Sequence, residues 1–325
     1  MTNASTSSQK TMKNDNKIIR ATNNKNKPAR KTILAAFAII TSMLIIGTAC
    51  EPAPDVIPPA EGAVVEMPII DFEEEEAPPI EEVDLYPYYY DASREDRYAM
   101  YAAEHPELVI EDVYWMVNCD LDKAPYEDTQ EIADPDDLLL MVNKHFHLPE
   151  GYTPPDLVAV GRTMMRPEAA DPLQQMIIDA AAEGHNLWSQ SGFRSYSVQE
   201  GLYTNYSARD GVEAADTYSA RPGHSEHQTG LATDLNTITD AFGSTPEGLW
   251  TAENCWKYGF IIRYTADNIG ITLYKSEPWH LRYVGVDVAT IMRNEQIESF
   301  EEYWVKYIKY TPPAGNAGGN LPAVG

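Results

Sequence analysis

The chain is short of positive charge. Against 50 Asp and Glu it carries 24 Lys and Arg, a formal charge of -26 over 325 residues. That argues against a nucleic-acid binder, which needs a basic surface to neutralise phosphates. Cysteine is scarcer still, with three residues: Cys50, Cys119 and Cys255. There is no internal repeat. Predicted strands and helices do not alternate in a regular βαβ rhythm, which disfavours a parallel doubly wound sheet. Long apolar runs are missing too, apart from one near the N-terminus. The length suffices for one or two domains with a real core.

The positive charge that exists is unevenly placed. Residues 1–32 hold eight Lys and Arg and one acid, Asp15, directly before the apolar run of residues 33–49. A basic arm before such a run is expected on the cytoplasmic side of a membrane. Seventeen residues is near the short limit for a spanning helix and also fits a long signal segment. Ile46-Gly-Thr-Ala-Cys50 resembles a bacterial lipobox, with Gly47 where Leu is usual. Two anchors therefore stay open, lipid at Cys50 or a transmembrane helix near 33–49. Both place the remainder on the extracytoplasmic face of a cell membrane. A buried core helix is the third reading of the run.

Residues 51–85 are rich in Pro and Glu, including Glu73-Glu-Glu-Glu76. Such a segment buries too little apolar surface to fold alone and reads as a disordered acidic linker. Residues 86–150 read as a small helical accessory region. There Ser93 to Asp96 has the form of a capping box for a helix ending before Pro106, and Asp134 is the expected N-cap of a helix over 138–146. His145 and His147, two positions apart, do not share a helix face and are expected to be surface or packing residues. Residues 151–311 read as the main domain, with helices over 168–184, 197–208, 247–258 and 285–294. Strands are expected over 187–191, 260–264 and 279–284. The fold class expected is α+β, a small antiparallel sheet with flanking helices. Residues 312–325 read as a disordered tail. With Cys50 in the signal region, Cys119 and Cys255 are left either to pair or to stay as buried free thiols.

The chemistry concentrates in two stretches, residues 221–234 and 276–285. The first holds His227 and Asp234, the second Glu277 and His280. Two imidazoles and one carboxylate form a three-ligand set suited to a catalytic zinc, which keeps a position open. A further carboxylate, Glu277, can act as general base. In an extended segment over 231–236, Asp234 shares a face with Ala232, whose small side chain leaves room for a substrate. Pro278 biases Glu277 towards an extended conformation. Taken alone, a His-x6-Asp spacing is weak. The same residues also read as hydrogen-bonded core histidines and a strand-end aspartate.

Three blocks in register carry a resemblance. Ser225-Glu-His-Gln-Thr-Gly-Leu-Ala-Thr-Asp234 is similar to the Ser-x-His-x-x-Gly-x-x-x-Asp signature of the VanY-type D-alanyl-D-alanine carboxypeptidases. Glu277-Pro-Trp-His-Leu-Arg-Tyr-Val-Gly285 resembles their second signature, and Ser191-Gly-Phe-Arg-Ser-Tyr196 their upstream block, with Phe193 in place of Tyr. The resemblance spans about residues 150–295. It implies a hedgehog/D-Ala-D-Ala peptidase-like fold and one Zn2+ per chain on His227, Asp234 and His280. It also implies Glu277 as general base, and Gln199 and Ser225 as pocket donors. Arg194 is the candidate for the substrate's terminal carboxylate, since a guanidinium fork suits that group; a structural ion pair is its other reading. His224, three residues before His227, is expected no closer than behind the ligands. The expected activity is removal of the terminal D-Ala from peptidoglycan stem peptides by a monomer. L,D-carboxypeptidase or endopeptidase action on the same polymer stays open, as does a non-catalytic wall-binding protein. Glu277 argues against the last, because a scaffold that only binds has no use for a base.

Overall fold

The computed structural model describes residues 86–310. The expectations for the basic arm, the apolar run 33–49, Cys50, the acidic linker and the tail from 312 lie outside the described residues. Among those described, no helix is long and apolar enough to cross a membrane.

In chain order the helices are α1 (Glu95–Glu104), α2 (Ile110–Asn118), α3 (Pro167–Ala182), α4 (Tyr196–Asp210), α5 (Val212–Ala215), α6 (Pro246–Asn254), α7 (Ile269–Thr272), α8 (Val286–Glu295) and α9 (Phe300–Tyr303). The strands are β1 (Gln130–Glu131), β2 (Phe146–His147), β3 (Val158–Val160), β4 (Thr163–Met165), β5 (Ser189–Ser191), β6 (Ala232–Leu235), β7 (Phe260–Tyr264) and β8 (Glu277–Tyr283). The central sheet has the order β5-β6-β8-β7, and every pair in it is antiparallel. An α+β fold built on a small antiparallel sheet is what the interspersed pattern implied.

Local chemistry explains the main helices. Pro167 opens α3, where it has no N–H to leave unpaired, and Leu173, Met176 and Ala180 line its buried stripe. Ser195 caps α4 through the Val198 N–H at 3.4 Å, and Thr245 caps α6 through the Gly248 N–H at 3.0 Å. The helix expected over 247–258 is α6 followed by a tighter 3-10 turn over Cys255–Tyr258. The capping box at Ser93 is displaced. Asp91 accepts from the Ser93 N–H at 3.0 Å and starts a 3-10 turn, Ala92–Arg94, that leads into α1.

Residues 138–146 form no helix. Asp134 does accept from a backbone N–H two residues on, that of Asp136, but so does Asp137 from Leu139, and these local turns compete with a helix. Residues 139–142 then alternate between two cores. Leu140 and Val142 enter one apolar cluster with Leu173, Leu231, Leu235 and Leu281. Leu139, Met141 and Phe146 enter the other with Trp115, Val284, Phe300 and Tyr303. A segment buried on both faces reads as a continuous apolar run, which periodicity cannot tell from a helix.

The second cluster also settles how residues 86–150 pack. Tyr98, Val113 and Trp115 of α1 and α2 share it with Ala289 and Met292 of α8, so this region is joined to the peptidase body by a common core. Each fully buried Leu or Phe there contributes about 1.5–3 kcal/mol. Cys119 and Cys255 are buried free thiols in different clusters. Burial pushes the Cys255 thiol up to about 12.

Candidate active site

The sheet register builds the site. Asp234 on β6 pairs directly with His280 on β8. Opposite partners in an antiparallel ladder project to the same face, so the two side chains meet without any loop to place them. His280 Nδ1 lies 3.1 Å from Asp234 Oδ1. His227 comes from the 3-10 turn Glu226–Thr229, which Gly230 ends at φ +71° before β6 begins. Its Nε2 is 3.2 Å from Asp234 Oδ2. One ligand atom from each of the three residues lies within 4.8 Å of the other two, and all three side chains are buried. Among the described residues this is the one such group.

Each imidazole is oriented from behind. The Gly192 carbonyl accepts from His227 Nδ1 at 2.8 Å, which leaves Nε2 facing the group. That carbonyl is fixed in turn: a Cβ on Gly192 would come within 2.6 Å of the Met164 carbonyl oxygen, so β4 and the Ser191–Arg194 segment pack as backbone on backbone. His280 Nε2 lies 3.2 Å from Glu226 Oε2. A histidine held by a carboxylate on one nitrogen, with its other nitrogen turned to the ligand group, is the usual arrangement behind a metal ligand. Burial lowers the His227 pKa, with the Arg194 charge adding to it, and so favours the neutral ring that binds metal. Burial opposes the charge on His280 as well, but its hydrogen bonds to Asp234 and Glu226 carry it up to about 9, so a cation must displace a proton there. Burial would raise the Asp234 carboxyl too, yet His227 and His280 hold it below the carboxylate range.

The group opens into a cavity of about 460 Å³ lined also by Arg194, Gln199, Ser225, Tyr264, Lys275, Glu277 and Trp279. Glu277 is the first residue of β8, opposite Tyr264 of β7, and is not part of the three-residue group. Burial pushes its carboxyl up to about 7, with Asp234 adding and His280, Lys275 and Arg194 opposing. Arg194 Nη2 sits 3.9 Å from Asp234 Oδ2. Its guanidinium is aimed by Gln199 Oε1 at 2.7 Å and Ser191 Oγ at 3.1 Å. Both ends of the Gln199 amide are engaged, because its Nε2 donates to the Ala220 carbonyl at 2.6 Å. Ser225 is buried on the cavity wall. His224 points elsewhere. Its Nδ1 donates to the Asn143 carbonyl at 2.7 Å, its ring packs against Tyr126 and His147, and burial lowers its pKa to about 4. His145 and His147 also stand outside the three-residue group, and His145 is buried with no partner on either ring nitrogen among the described residues.

Glu226 was not legible as a site residue. Its signal lay elsewhere in the sequence: Arg263 and Arg282 stand inside the apolar strands β7 and β8, and a buried cation there needs a buried anion.

Comparison with known proteins gives the family. The family model described as VanY, D-alanyl-D-alanine carboxypeptidase, matches residues 162–286. A putative carboxypeptidase, YodJ, of Bacillus subtilis (strain 168) is 40% identical over 196 residues, 55% of this chain and 71% of its own. A D-alanyl-D-alanine carboxypeptidase of Enterococcus faecium is 33% identical over 204 residues, 62% of each chain. Among solved structures, the LdcB LD-carboxypeptidase superposes with a TM-score of 0.53 at 40% identity, covering 55% of this chain and 91% of that one. The fold and its pocket are those of a peptidase of the carboxypeptidase class. The chain belongs to the VanY-like D-alanyl-D-alanine carboxypeptidase family.

Proposed function

We propose that the chain is a zinc-dependent D-alanyl-D-alanine carboxypeptidase that removes the terminal D-Ala of peptidoglycan stem peptides. The observation that carries this reading is the convergence of His227, Asp234, His280, Glu277 and Arg194 on one cavity. The donor set fits zinc, two imidazole nitrogens and a carboxylate on a buried floor, and these three residues would hold one ion per chain. When bound, the ion polarises the scissile carbonyl and makes water a usable nucleophile near neutral pH.

The protein's own groups do the rest. Glu277 takes the proton of the attacking water and returns it to the leaving amine. A carboxyl lifted by burial towards 7 has the proton affinity for both halves of that cycle. Arg194 pairs with the substrate's terminal carboxylate, and Gln199 and Ser191 hold its fork in place. We assign Gln199 to that orienting role, and Ser225 to a hydrogen bond with the substrate backbone. The N-terminal segment would tether the enzyme outside the membrane, by lipid at Cys50 or by a helix near 33–49. A Cys50→Ser variant that blocks lipid labelling would favour the first.

A second reading has one specific observation in its favour. The LdcB neighbour, at 40% identity, is an LD-carboxypeptidase. Both activities release the same terminal residue and differ in the residue before the scissile bond. Mass spectrometry of tetrapeptide- and pentapeptide-terminated muropeptides, with zinc content measured alongside, tests the proposal and separates the two. Loss of one alanine from the pentapeptide supports the first reading, and loss from the tetrapeptide alone supports the second.

A further inference from the structure

Behind His280 lies a chain of buried charges that leads out of the region matched by the family model. Glu226 Oε2 faces His280 Nε2 at 3.2 Å. Its other oxygen, Oε1, accepts from Arg263 Nε at 2.9 Å and Arg282 Nη1 at 3.1 Å. Arg263 turns its remaining nitrogens to Glu301 on α9, with Nη2 to Oε1 at 2.6 Å and Nη1 to Oε2 at 2.9 Å. The side chains of Glu226, Arg263, Arg282 and Glu301 are all 0% exposed. Glu301 and Asn143, which donates to it at 3.3 Å, both lie outside residues 162–286.

The network is neutral as a whole and chemically asymmetric. Two guanidiniums saturate one oxygen of Glu226 and leave the other to the imidazole. Fully buried ion pairs such as these three are poor stabilisers, because desolvation offsets most of their attraction and apolar replacements are often as stable. What the arrangement supplies is direction. Arg263, clamped by the bidentate Glu301, fixes the plane of the Glu226 carboxylate. That carboxylate fixes the His280 ring with Nδ1 towards Asp234.

We infer that Glu301 is a positioning residue for His280, acting through Arg263 and Glu226, so that α9 sets the geometry of the metal site. The inference rests on the reading of His280 as a metal ligand. It does not depend on which peptide is cut.

The test uses the full chain loaded with Co2+, whose visible absorption reports ligand geometry, and calorimetric titration with Zn2+. Wild type is compared with Glu301→Gln, Glu301→Asp and Glu302→Gln, the last a neighbour that pairs with Lys306 and lies outside the network. Glu301→Gln should shift the cobalt spectrum and weaken zinc binding about tenfold to a hundredfold, the usual cost of losing support behind a ligand. Glu301→Asp, which keeps the charge, should fall between it and wild type and is the variant read if the Gln form does not fold. Glu302→Gln should match wild type. A folded Glu301 variant with the wild-type spectrum and affinity overturns the inference alone. A wild-type protein that binds neither ion overturns the metal reading beneath it.

Discussion

Asp234 and His280 face each other across the β6–β8 ladder, with Oδ1 and Nδ1 3.1 Å apart. A register error of one residue on either strand would turn one of them into the core. The Asp234–His280 pair is therefore a property of the sheet, and His227 is added to it by the turn immediately before β6. Changing His227, Asp234 or His280 to Ala should abolish stoichiometric zinc binding, as read by elemental analysis of dialysed protein. A His227→Ala protein that keeps one zinc would contradict the assignment.

Glu277 should separate chemistry from metal binding. Glu277→Gln keeps the side-chain shape and removes the base. Turnover should fall about a hundredfold to ten-thousandfold, with zinc content near wild type. Loss of zinc in this variant would make Glu277 a ligand instead.

Arg194→Ala should act mainly on affinity. Its guanidinium lines the cavity 3.9 Å from Asp234 and is braced by two neighbours. The rise in KM should be smaller for substrates whose terminal carboxylate is amidated, since these offer no ion pair. Equal losses on both substrates would point to a structural role.

The Ser191–Arg194 segment owes its place to Gly192. A methyl group there meets the Met164 carbonyl oxygen at 2.6 Å and Thr163 Cβ at 3.0 Å. Gly192→Ala should cost about 1–3 kcal/mol of stability, the usual penalty of overpacking. It should also weaken zinc binding, because the Gly192 carbonyl orients His227. Chemical denaturation and zinc titration check the two parts.

Lys144 gives a pH signature outside the His227–Asp234–His280 group. It is buried, donates to the Asp216 and Leu273 carbonyls, and sits 4.3 Å from the Tyr274 ring centre. Burial lowers its pKa to about 8, Arg221 adds to that, and Asp216 opposes it. The unfolded chain, near the ordinary lysine value, binds more protons between the two values, so stability rises with pH from about 8 to about 10.5. The gain is at most about 1.4 kcal/mol per pH unit. Lys144→Met should lack that increment, and comparing the two proteins from pH 7.5 to 10 removes the tyrosine contributions common to both. Parallel curves would contradict the burial argument.

Much of the site could be read from the chain because its parts lie in short blocks. His227 and Asp234 fall within one turn and strand, and Glu277 and His280 within another. Strand β7 was legible for the same reason, as a short run directly after Gly259. The segment 138–146 was not, since residues buried alternately in two cores leave no period. The support behind the site was hidden by distance in sequence: Glu226, Arg263 and Glu301 come from three separate elements, and only folding makes them one network.

The most direct test of the account is a peptide-release assay on the purified protein. Pentapeptide-, tetrapeptide- and tripeptide-terminated muropeptides are incubated with zinc-loaded and chelator-treated protein and read by mass spectrometry. The account predicts loss of a single terminal alanine from the pentapeptide, only with zinc, and near-abolition in Glu277→Gln. Intact peptides throughout, from folded protein carrying one zinc per chain, would contradict it.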